Sequence, residues 1–200
     1  MAQSLTNAEL ERLAKFDTPT ICNALSAIQP DGGRRNVTCE MLYCPFPERG
    51  TMVGYARTAA VRSAQPSLAG DGDLLDAWVE YWRYLNGGPK PSISVVQDLD
   101  GERAGYGSFW GEINSNVHRR FGCVGTLTDG SIRDIDAIPP GFQILARKAV
   151  PSDGYVRVVD FGCIVRVAGL EVRSGDLIHA DRHGAVVIRP QHSVPRGGAT

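Results

Sequence analysis

The stretch that most restricts what this chain can fold into is residues 110–138, WGEINSNVHRRFGCVGTLTDGSIRDIDAI, which puts a glycine turn, a helix start, a buried strand and an Arg-Asp pair into one unit. Gly111-Glu112 opens a helix whose apolar positions Ile113, Val117 and Phe121 recur at helical spacing. The run from Cys123 to Leu127 is short, apolar and bounded by glycines, which suits a central strand of a parallel sheet. That strand ends at Thr128-Asp129-Gly130, and Arg133-Asp134 follow within one turn. Open α/β sheets bind ligands beyond the carboxyl ends of their strands, so a site is expected at Arg133 and Asp134.

The residue types narrow the chemistry. Glu112 and Asp134 are hard oxygen donors suited to Mg²⁺ or Mn²⁺, and the planar fork of Arg133 suits a substrate carboxylate. Behind Gly111, the N–H groups of Ile113 and Asn114 lack acceptors at the helix start and form a second anion site. An ion, an arginine and a helix N-terminus converging on one pocket describe a site for a small 2-oxo acid. An Arg-Asp neighbour pair also occurs as a surface ion pair or a helix cap, and residue types alone leave both readings open.

Glu112, twenty intervening residues and then Arg133-Asp134 resemble the acidic-x20-Arg-Asp signature of the RraA-like proteins. The WGE turn, the TDGxxRDxD sequence, the tail RxGDLIxADxxGAVVI from Arg173 to Ile188 and the N-terminal FDTPTICNAL from Phe16 to Leu25 extend the resemblance over nearly the whole chain. It implies a swivelling β/β/α domain that assembles as homotrimers or hexamers, with sites near subunit boundaries. It also implies a divalent-metal pyruvate aldolase acting on 4-hydroxy-2-oxo (di)acids such as 4-hydroxy-4-methyl-2-oxoglutarate, with oxaloacetate decarboxylation as a side activity. On that pattern Asp134 holds Mg²⁺ or Mn²⁺ directly and Glu112 acts on it through water. Arg133 polarises the 2-oxo group, while Gly111, Ile113 and Asn114 bind the substrate. In the aldolases the acidic position is often Asp, where this chain has Glu112. Other members regulate a ribonuclease, which gives a second reading as a non-catalytic binding protein.

The rest of the sequence bounds these readings. Two hundred residues with 42% hydrophobic composition make a single α/β domain with a full core. A net charge of −1 with mixed signs and no dense basic face argues against nucleic acid as a partner. His118-Arg119-Arg120 reads as the solvated face of its helix. No apolar run reaches a membrane span and no signal segment opens the chain, so a cytoplasmic protein is expected. Five cysteines without a C-x-x-C agree with a reducing compartment, and Cys39 and Cys44 read as loop thiols rather than metal ligands. No glycine-rich nucleoside loop supports methyl transfer.

In chain order, Thr6 and Glu9 form a capping box for a first helix, with Leu5 and Leu10 as its staple. Thr18 and Pro19 read as N-cap and first residue of a second helix. Residues 29–50 read as an irregular loop, 51–62 as a strand and 63–72 as a connection. Residues 73–85 form the longest expected helix. Its stripe of Leu74, Trp78, Tyr81, Trp82 and Leu85 is assigned to packing or a subunit contact. A strand is expected at 92–96, followed by Asp98 and Asp100, which suit either a metal or a turn. Glycines 101, 105 and 107 give an approach loop freedom to close over a ligand. Residues 143–150 read as a further strand. A C-terminal β-meander is expected from strands at 163–167, 170–172, 177–180 and 185–188. His179, Asp181 and His183 alternate along it and read as surface histidines in preference to a zinc site.

Overall fold

The computed structural model describes residues 5–28, 32–68 and 70–189. Helices α1 (Asn7–Leu13) and α2 (Thr18–Ile28) precede a single helical turn, α3 (Gly32–Arg35). Next come β1 (Met52–Arg62), α4 (Asp71–Asn86), β2 (Ser92–Asp98), β3 (Ser108–Trp110), α5 (Glu112–Arg120), β4 (Cys123–Thr128) and β5 (Ser131–Ile132). They are followed by β6 (Gln143–Leu145), β7 (Lys148–Ala149), β8 (Arg157–Phe161), β9 (Val165–Val167), β10 (Leu170–Val172), β11 (Leu177–Asp181) and β12 (Gly184–Ile188).

The local signals explain most of these boundaries. Thr6 Oγ1 accepts from Glu9 N–H while the Glu9 carboxylate takes the Thr6 N–H, so the expected capping box starts α1. Helix α2 begins one residue earlier than Thr18 as a cap would require. The carboxylate of Asp17 accepts the Thr20 N–H at 2.8 Å and so performs the capping. Thr18 is instead buried, its N–H on Asp181 Oδ2 at 2.8 Å and its hydroxyl on His179 Nδ1 at 3.1 Å.

A curled seven-stranded sheet is the frame, in the order β12-β11-β1-β2-β4-β6, with β8 pairing the far half of β1. Strands β1, β2, β4 and β6 are parallel, aligned Tyr55 to Ser92, Ser94 to Thr126 and Leu127 to Leu145. Both faces are covered, so ten of the eleven residues of β1 are buried. On one face Ile93, Val95 and Leu127 pack against Val165 and Leu170 of the β9–β10 hairpin. On the other, Val61 and Val96 pack against Tyr81 and Leu85 of α4 and against Trp110 and Ile132. The C-terminal strands form two antiparallel hairpins, of which β11–β12 joins the edge of β1.

Residues 143–150 divide between two sheets. Strand β6 closes the large sheet, and after Arg147 the chain enters β7 of a separate parallel sheet, β3-β5-β7. Strand β8, which the hydrophobic pattern does not announce, is a mostly solvent-accessible edge with only Val158 buried. No described helix is long and apolar enough to cross a membrane.

Candidate active site

The small sheet explains the twenty-residue interval in the motif. Strands β3 and β5 are parallel neighbours with Trp110 opposite Ile132, and the Arg133 N–H donates to the Trp110 carbonyl at 2.8 Å. Helix α5 and β4 are the crossover that parallel neighbours require. Gly111-Glu112 and Arg133-Asp134 therefore leave adjacent carboxyl ends side by side. The site stands at the end of β5 and not, as the strand reading of 123–127 suggests, at the end of β4.

Asp134 has a left-handed backbone, φ 51° and ψ 43°, which turns its carboxylate back over the start of α5. Oδ2 lies 3.5 Å from the Glu112 N–H and 3.5 Å from Arg133 Nε. A Cβ on Gly111 would sit 2.7 Å from that oxygen and 3.2 Å from Arg133 Cγ, so a larger residue would push the Asp134 carboxylate out of this seat. Arg133 Nη1 is 3.6 Å from Asp153 Oδ1. These ion-pair distances are too long for close hydrogen bonds, and the guanidinium fork keeps its donors for another partner. Ile113 and Asn114 occupy the second and third positions of α5, where N–H groups have no intrahelical acceptor.

Around these groups lies a cleft of about 300 Å³. Its polar end carries Arg133, Asp134, Glu112, Asn114 and Asp153, and Trp78, Trp82, Phe109 and Leu75 form an apolar wall. All the residues expected at the site, Gly111, Glu112, Ile113, Asn114, Arg133 and Asp134, line this one cleft. Ile113 is 74% exposed, so the apolar positions Ile113, Val117 and Phe121 that recur at helical spacing are not the buried face of α5. The buried face of α5 is Ser115 and His118. Trp78, Trp82 and Asp153 were not legible as site residues. The first two belong to a stripe that spacing alone assigns to packing, and Asp153 is a loop residue that only the fold brings near.

His118 is likewise buried and not on a solvated face. Its Nδ1–H donates to the Asn114 carbonyl at 2.6 Å, and Nε2 accepts from Tyr81 O–H at 2.8 Å. Burial pushes its pKa down to about 4, so the ring is neutral and ties the first turn of α5 to α4. His179 is also buried, held between Thr18 Oγ1 and the Leu13 carbonyl, and among the described histidines only His183 is exposed. Asp98 and Asp100 serve the turn. Asp98 accepts from Gly105 N–H and Asp100 N–H, and Asp100 accepts from Ser63 and Ala64 N–H at 2.6 and 2.7 Å. Beside them the Asp129 pKa is raised to about 6, first by burial and further by the charge of Asp98.

Among the described residues no group of three or more His, Cys, Asp or Glu gathers as a ready-made metal cage. The donor chemistry at the cleft fits an ion that keeps most of its own water. The Asp134 carboxylate is half exposed over the Gly111 notch, and the Glu112 carboxylate is nearby and exposed.

The fold and cleft define a mixed α/β domain with an arginine and carboxylates at the ends of paired parallel strands. The chain belongs to the RraA-like family, whose model, described as Aldolase/RraA, matches residues 18–187. It is 28% identical over 189 residues to a Halalkalibacterium halodurans protein provisionally named 4-hydroxy-4-methyl-2-oxoglutarate aldolase, with 92% of this chain and 79% of that protein covered. It is 23% identical over 182 residues to protein DlpA of Legionella pneumophila; the match covers 90% of this chain but only 27% of that longer protein. Among solved structures, Streptomyces coelicolor RraAS2, titled an unusual member of the RNase ES inhibitor RraA protein family, superposes with a TM-score of 0.69 at 21% identity. That superposition covers 94% of this chain and 87% of the Streptomyces chain.

Proposed function

We propose that the protein is a divalent-metal-dependent pyruvate lyase that cleaves 4-hydroxy-2-oxo acids, with oxaloacetate decarboxylation as a side activity. The observation that carries this reading is the seat of Asp134 and Arg133 over Gly111 at the start of α5. There a cation fork, a carboxylate and free helix amides face one cleft. A bound Mg²⁺ or Mn²⁺, held by Asp134 directly and by Glu112 through water, would act as Lewis acid toward the 2-oxo group.

The chain's own groups supply the rest. Arg133 directs its fork at the 2-oxo acid end and stabilises the negative charge that develops on the C2 oxygen. The Ile113 and Asn114 N–H groups orient the carboxylate at the positive end of α5. Cleavage of the C3–C4 bond leaves its electron pair in the pyruvate enolate and turns the C4 hydroxyl into a carbonyl. A water oriented by Glu112 takes the hydroxyl proton, and a proton returned to C3 completes pyruvate. In oxaloacetate the same enolate follows loss of CO₂.

The test is pyruvate release from a panel of 4-hydroxy-2-oxo acids and oxaloacetate, with and without Mg²⁺ or Mn²⁺. Metal-dependent release is expected. Its absence from every substrate would favour the second reading, a protein-binding regulator of a ribonuclease, which draws on the likeness to RraAS2.

A further inference from the structure

The cleft beside Arg133 is polar at one end only. Trp78 stacks on Phe109 with ring centroids 5.5 Å apart and planes 10° from parallel, and Trp82 packs against Trp78 at 5.9 Å. Leu75, 61% exposed, and Ile113 widen this apolar wall toward solvent, and Val156 adds to the apolar lining. Arg133 is the one cationic side chain among the described lining residues, and of the three lining carboxylates Glu112 and Asp134 are those the metal would occupy, which leaves Asp153.

That arrangement constrains what can extend from C4 of a bound 2-oxo acid. Once Arg133 and the α5 amides hold the 2-oxo acid end, no second lining cation is left for a distal carboxylate. Such a carboxylate would give up water against indole rings and aliphatic groups, with the Asp153 carboxylate nearby once Glu112 and Asp134 face the metal. An aryl group in the same place buries its faces against flat aromatic walls and brings no charge. We infer that the site selects 2-oxo monoacids bearing an aryl or similarly bulky apolar group on C4, the 4-hydroxy-4-aryl-2-oxobutanoate class, over 2-oxo diacids. The inference rests on the reading of this cleft as the 2-oxo acid site. Cleavage of such a substrate breaks C3–C4, releases pyruvate and an aryl aldehyde or ketone, and moves the hydroxyl proton to C3 with no external oxidant or reductant.

Binding separates this specificity from catalysis. The probes are 4-phenyl-2-oxobutanoate and 2-oxoglutarate, neither of which has a C4 hydroxyl to cleave. Each is titrated by calorimetry against the full chain in the presence of Mg²⁺ or Mn²⁺. The phenyl acid is expected to bind about tenfold tighter or more, as one well-placed aromatic contact supplies. Leu75→Arg adds a cation to the wall at an exposed position that tolerates it, and should shift the preference toward 2-oxoglutarate. Equal or weaker binding of the phenyl acid by the wild-type chain overturns the inference, as does phenyl-acid binding that survives Arg133→Ala unchanged. If the phenyl preference holds while 4-hydroxy-4-phenyl-2-oxobutanoate and the diacids all release no pyruvate, the lyase reading fails and the monoacid specificity stands. No binding of either acid overturns both.

Discussion

Asp134 combines a strained backbone with an exposed carboxylate. A non-glycine residue in the left-handed region costs roughly 1–2 kcal/mol, and this one is kept where its oxygen can reach over Gly111. Asp134→Gly should therefore raise the unfolding free energy by up to about 1 kcal/mol in urea melts while abolishing metal-dependent pyruvate release. Asp134→Ala should abolish activity without that gain. Arg133→Lys keeps the charge but loses the fork, and a fall in kcat/KM of about a hundredfold or more is expected. Glu112→Gln should be milder, because an amide oxygen still accepts hydrogen bonds from water. Wild-type kcat in Arg133→Lys with none in Glu112→Gln would reverse these two roles.

Helix α5 is where packing serves the cleft. Its inner face is polar, and Ser115 and His118 replace the apolar stripe that spacing suggests. Tyr81→Phe removes the donor to His118 Nε2 and leaves a buried acceptor unpaired. A loss of about 1–3 kcal/mol is expected, read from the denaturation midpoint. The buried His118 and the half-buried Asp129, just past β4, give opposite pH dependences. His118, lowered to about 4, stabilises the fold fully above its unfolded value of 6.5, and this stability is lost as pH falls toward 4. Asp129, raised from 3.8 to about 6, contributes stability that is full below 3.8 and lost as pH rises through about 6. The slopes oppose between about pH 4 and 6. Asp129→Asn, which keeps an oxygen for the Asp98 N–H, should leave the His118 effect uncompensated. Thermal melts of that variant should fall more steeply on acidification than those of the wild type, and an unchanged slope would count against the Asp129 shift.

At the scale of the whole molecule, the aromatic stripe of α4 is largely spent within the chain. Tyr81 and Leu85 are fully buried, and Trp78 and Trp82 join the same core from the cleft side. An assembly of three or six chains is still expected from the family resemblance, and light scattering at micromolar concentration should give that mass; a monomer would remove any site shared across a subunit boundary. The capping box of α1, the buried strands β1, β2 and β4 and the convergence of Gly111, Glu112, Arg133 and Asp134 were legible because each rests on local spacing or a compact motif. Propensity and period act over a few residues, and the sequence carries them directly. Only the tertiary structure decided that residues 143–150 split between two sheets, that His118 and His179 turn inward, and that Trp78, Trp82 and Asp153 share a cleft with Arg133. Those outcomes depend on which distant surfaces bury one another, and spacing along the chain does not encode such pairings.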